Sequence, residues 1–189
     1  MRKTGKELHK GMILKTILVF LASYFVFLLL WIEVKDSYGY GVTFLASKAV
    51  MFAKDVHFQD MTAKEGMIEA TFSALRYKSE ILIDIPVKTS SYTFNAPLTL
   101  AIMAALYPFI KRKNRAYGEA LLILFFVHIL YVFSLEAKEL TEVLMERGPG
   151  ASSGPGVAAY QFLWGFTDNM VIRFEPFLIG FYIFIRFRK

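Results

Sequence analysis

Four polar residues sit where an apolar chain has least use for them: Asn95, His128, Arg173 and Glu175. His128 follows Arg115 by 13 residues and Arg173 precedes Arg186 by 13. At a helical rise of ~1.5 Å per residue, each stands ~20 Å from a basic cluster, with Glu175 slightly lower and Asn95 at ~24 Å. All four could therefore converge on one polar pocket below the far surface of a bilayer. A charge at that depth is costly and normally faces a partner or a cavity. The favoured chemistry is a structural clasp, with Arg173 bonded to Glu175 or Glu136. Arg173 could instead grip a lipid phosphate, since its planar fork suits that group. A His128–Glu175 pair could do acid–base work, but no activated nucleophile accompanies it, so no catalytic residue is assigned.

Other chemistries drop out quickly. The chain has no cysteine, which removes disulfides, thiolate metal sites and cysteine nucleophiles. His128 alone makes no metal site, and no cofactor is expected. The Gly/Pro-rich stretch 148–156 lacks the Gly-x4-Gly-Lys-Ser/Thr pattern of a phosphate loop and reads as a flexible linker. Glu136, Glu139, Glu142 and Glu146 read as a solvated helix face, without the Glu-x-x-His pair of a di-iron site.

The elements that must carry these residues are mostly membrane spans. The chain is 56% hydrophobic with 19 Phe and 10 Tyr, against about 45–50% apolar residues in an ordinary soluble domain. Residues 12–32 form an apolar run long enough to cross a ~30 Å core. A signal peptide is rejected, because the run is long and Trp31-Ile32-Glu33 is no cleavage site. Further runs cover 96–110, 116–135 and the stretch ending at 177–185. Basic clusters flank them: Arg2, Lys3, Lys6 and Lys10; then 111–115; then Arg186, Arg188 and Lys189. Short basic loops stay in the cytoplasm, and four spans put all three clusters on one side. The 111–115 run is thus a topology signal that also meets anionic lipid, and no nucleic-acid partner is expected. Tyr24, Trp31, Tyr38 and Tyr40 read as an interfacial aromatic belt.

The expected architecture is an integral membrane, mainly α protein: a four-span transmembrane helix bundle with a small extracytoplasmic antiparallel β subdomain. Residues 1–32 hold the cytoplasmic N-terminus and first span. Residues 33–95 hold an amphipathic helix and a sheet. Residues 96–189 hold three spans, with an outer helix and loop at 136–169. In the amphipathic helix, Val42, Leu45, Ala46, Ala49, Phe52, Ala53 and Val56 form one stripe that covers the sheet or lies on the membrane. The period then changes to two, with Ile68, Ala70, Phe72 and Ala74 in one strand and Ile81, Ile83, Ile85 and Val87 in the next. Tyr77-Lys78-Ser79-Glu80 is the turn. Residues 57–63 add a strand before it, residues 89–94 extend the last one, and 93–95 enter the second span without a helix. So small a sheet needs a helix, the membrane or a partner to cover its apolar face.

Three patches carry a likeness: Phe94-Asn95-Ala96-Pro97-Leu98 opening the second span, the polar helix at 136–144, and Tyr160-Gln161-Phe162-Leu163 opening the last helical unit. With the order of spans and strands, they make the chain resemble the small bacterial membrane proteins associated with exosortase H. The resemblance implies a non-enzymatic accessory subunit in the bacterial inner membrane. It would dock on a larger membrane protein of an exosortase-type system, which processes proteins bearing a C-terminal sorting signal. The expected partners are that integral membrane protein and membrane lipids, and a homo-oligomer is compatible with the pattern. The alternative is a lipid- or lipid-carrier-binding protein whose outer-leaflet pocket surrounds Arg173.

Overall fold

The computed structural model describes residues 5–64, 66–76, 79–146 and 155–188. Arg2, Lys3, the Tyr77-Lys78 turn, positions 148–154 of the linker and Lys189 lie outside the described residues. The chain is mainly helical with one small sheet. In order it forms α1 (Gly5–Lys54), β1 (His57–Lys64), β2 (Met67–Arg76), β3 (Ser79–Lys88), α2 (Ser90–Thr93), α3 (Asn95–Leu106), α4 (Lys113–Glu146), α5 (Pro155–Phe166), a π-helical turn (Thr167–Ile172) and α6 (Arg173–Phe187). Two of these helices are long and apolar enough to cross a membrane, over Gly11–Lys54 and Lys113–Glu146.

Several boundaries differ from the sequence reading. The first span and the amphipathic helix are one helix of 50 residues, because nothing between them breaks the backbone ladder. It ends only where Asp55 turns left-handed, at φ 52°. Residues 90–93 wind into the helical turn α2 instead of prolonging β3, and Phe94 is helical too, so α3 has no extended lead-in. The outer segment after the linker and the last apolar run form consecutive helical elements, joined by the π-helical turn. Pro176 inside α6 lacks an N–H and crowds the carbonyl four residues back. Widening the preceding turn to a π-helix accommodates that break.

The chain divides into two compact units. The first takes Met1–Glu33, Phe94–Leu124 and Phe174–Lys189. Its core joins Ala96, Met103 and Ile110 with Ala116, Ala120 and Leu124 of α4 and Ile179, Ile183 and Phe187 of α6. Small residues at such contacts let helix backbones approach closely, the main source of attraction where lipid is as apolar as leucine. Along α1 the side chains of Leu14, Phe25 and Leu29 remain 59%, 62% and 68% exposed, so this stretch offers its apolar surface outward.

The second unit takes Val34–Thr93 and Phe125–Arg173. Its sheet is antiparallel in the order β1-β2-β3, with a bulge between Phe58 and Asp60. Ile68 pairs Val87, Ala70 pairs Ile85 and Phe72 pairs Ile83, so the period-two pattern puts all six on one buried face. Val50 of α1 and Ala137 and Leu140 of α4 pack on that face. The helix that covers the sheet therefore comes from the same chain. The covering face of α1 is rotated from the one expected. Val42, Thr43, Ala46, Ser47 and Val50 are buried, whereas Leu45 is 45% and Phe52 84% exposed.

A close helix contact of the first unit yields a test. A β-carbon at Gly180 would lie 2.6 Å from Ile102 Cγ2. Gly180→Ala should cost about 1–3 kcal/mol by overpacking. Adding Ile102→Ala removes the opposing methyl and should recover part of that loss, measured by thermal unfolding in detergent.

Candidate functional site

Of the four residues expected in the pocket, Asn95 and Glu175 belong to the first unit and His128 and Arg173 to the second. In the first unit, Asn95 opens α3 and its Nδ2 donates to Glu175 Oε2 at 2.9 Å. Glu175 is buried in the first turn of α6. In the second unit, His128 is fully buried on α4, and its Nδ1 shares a 2.8 Å hydrogen bond with Tyr38 Oη of α1. The rings of Tyr38 and Tyr92 meet the imidazole edge-on, at 5.6 and 5.2 Å between centroids. Tyr38 is thus a half-buried hydrogen-bonding partner of α4. Arg173 is exposed where the π-helical turn gives way to α6.

The carboxylate that sequence reasoning misplaced is Glu136. Its helix neighbours Glu139 and Glu142 are half-exposed and pair with Lys138 at 2.9 and 3.1 Å. Glu136 itself has no exposed surface, and its Oε1 accepts from Ser47 Oγ at 2.7 Å. The signal available was indirect: Gly39, Thr43 and Ser47 recur every four residues and form a small, polar stripe on α1. That stripe faces α4 and α2. Tyr92 Oη donates to Gly39 O at 3.4 Å, and burial pushes the Tyr92 hydroxyl up to about 12, with the Thr43 hydroxyl pulling the other way. Tyr92 therefore stays a neutral donor at any ordinary pH. At the end of α1, Lys54 Nζ donates to Thr141 Oγ1 and lies 3.4 Å from the Tyr160 ring centroid.

These bonds form a register. Tyr38 meets His128, Ser47 meets Glu136, and Lys54 meets Thr141. Both partners advance together, so α1 and α4 run parallel through the second unit. What these three bonds do chemically is hold α1 against α4 within the second unit. Among the described residues, no three His, Asp or Glu side chains group closely enough to hold a metal ion.

The Ser47–Glu136 bond can be tested directly. Ser47→Ala should destabilise by about 1–3 kcal/mol, because it strips a buried carboxyl of its donor. Glu136→Ala should cost about 2–5 kcal/mol through the cavity it leaves. Glu136→Gln, which keeps an acceptor for Ser47, should cost least of the three. Unfolding midpoints in a single detergent rank them.

Comparison with known proteins adds the family. No curated protein and no solved structure matches the chain. A family model described as exosortase H-associated membrane protein matches residues 8–187, nearly its whole length. With two membrane-capable helices and polar groups turned inward to bind one another, this chain belongs to the exosortase H-associated membrane protein family.

Proposed function

We propose that this protein is a non-enzymatic accessory subunit of an exosortase-type sorting system in the bacterial inner membrane. In this reading it crosses the bilayer four times, with both termini cytoplasmic and the sheet periplasmic, and its spans dock on a larger membrane protein. The family match over residues 8–187 carries the reading, since the family is described by its association with exosortase H.

The geometry supports the topology in three ways. The parallel register of α1 and α4 suits a first and a third span, which cross in the same direction. In the first unit the α3–α4 turn meets the end of α6, with Lys111 N donating to Phe187 O at 2.6 Å. This suits two basic clusters on one side of the membrane. Lys15 and Thr16 of α1 line a groove with Pro108 and Phe109 just past α3, which suits an N-terminus on that side too. Docking is supported by the outward apolar surface of residues 12–32, which lipid or a partner's helix would cover. A non-enzymatic role is supported by the buried Glu136, His128 and Glu175, whose hydrogen bonds tie the chain's own elements together.

Purification from the native host in mild detergent should return a cysteine-bearing multi-span membrane protein in roughly equal amount. Recovery of this chain alone would count against the reading. A C-terminal reporter should be shielded from an impermeant label in intact spheroplasts, and labelling there would overturn the topology.

A further inference from the structure

We propose that the end of the first unit, where the α3–α4 turn meets the end of α6, is a binding site for a phosphate-type anion. Two adjoining clefts lie there. One of about 700 Å³ is lined by Ile110 and the basic turn Lys111, Arg112, Lys113, Asn114 and Arg115. The other, about 370 Å³, shares Lys111, Arg112 and Arg115 with it and adds Arg186, Phe187 and Arg188.

Like charges repel, yet the backbone gathers these together. An isolated bridge joins Ile110 to Arg188 beside the Lys111–Phe187 bond. Arg112 adopts a left-handed backbone at φ 47°, which is unusual for a residue with a β-carbon. Neutralisation within the chain is incomplete. Glu119 accepts from Arg115 at 3.2 Å and pairs with Arg186 at 3.3 Å. Among the described residues, Lys111, Arg112 and Arg188 have no carboxylate partner. The N-terminus of α4 adds to the excess, since its first turn carries Lys113 and Arg115 and no acidic residue. A helix start is electropositive and ordinarily dressed with carboxylates. Cations there call for an external anion, which unpaired N–H groups also suit.

Arginine forks suit phosphate, whose oxygens accept paired donors and can be shared among several cations. Exposed apolar side chains continue from the site along both helices, Leu121 and Leu122 on α4 and Phe181 and Ile185 on α6. An anionic phospholipid would satisfy both features, its phosphate in the clefts and its chains along these residues. Free phosphate would satisfy the first alone.

The full chain in nanodiscs and in detergent tests this, with phosphatidylglycerol, phosphatidylcholine and inorganic phosphate as probes. Native mass spectrometry should show phosphatidylglycerol retained about tenfold over phosphatidylcholine, given the attraction each surface cation adds. The combined variant Lys111→Gln, Arg112→Asn, Arg188→Gln should lose that preference. A charge-matched control, Lys35→Gln, Lys64→Gln, Lys88→Gln, should keep it. If the combined variant unfolds, Arg188→Gln alone, beyond the end of α6, should weaken retention severalfold. Saturable binding of inorganic phosphate without lipid preference, lost in the same variants, would support the anion site and assign it a soluble ligand. No preference and no saturable phosphate binding, or equal loss in the control, would overturn the proposal.

Discussion

A carboxyl group with no exposed surface governs the second unit. Glu136 lies in the seam between α1 and α4, and it persists there because Ser47 supplies a hydroxyl donor across from it. Burying such a group without a partner costs more than most single contacts return. The position and rotation of α1 are thereby constrained: a slip of one residue would break the bond and bury the carboxyl alone. The Tyr38–His128 and Lys54–Thr141 bonds repeat the constraint on either side. Packing of small and apolar residues could tolerate several rotations of α1 against α4, whereas three polar bonds in register tolerate one.

The sheet depends on that choice. Three strands cannot enclose a core of their own. With α1 rotated as it is, Val50 meets the face made by Phe72, Ile83 and Ile85, and α4 closes it with Ala137 and Leu140. Gly39 belongs to the same arrangement. A β-carbon there would stand 2.6 Å from Thr89 Cγ2, so the close approach of α1 to the end of β3 needs glycine. Thr89 in turn bonds Gly66 O through both its backbone nitrogen and its hydroxyl, tying the β1–β2 turn to the end of β3. Helix seam, sheet and turn form one chain of contacts within the unit.

Membership of an exosortase H-associated family gives this architecture a setting. Within the second unit, buried polar groups of α1 and α4 bond one another. What the chain presents outward includes apolar helix surface, the mixed outer face of a small sheet and a basic helix end.

The amino-acid pattern by itself determined the apolar runs, the basic clusters that flank them and the alternating strands, because period and composition are local properties of the chain. It also singled out Asn95, His128, Arg173 and Glu175 as out of place in apolar surroundings. Tertiary structure decided their partners, and it decided that α1 turns a face of Thr43, Ser47, Ala46 and Val50 inward while Leu45 and Phe52 stay outside. It buried Glu136 although Glu139, Glu142 and Glu146 on the same helix remain accessible. The physical reason is that a hydropathy pattern ranks each side chain against water alone. A serine and a glutamate that satisfy each other across two helices, 89 residues apart, are stable inside only as a pair, and no local window contains both.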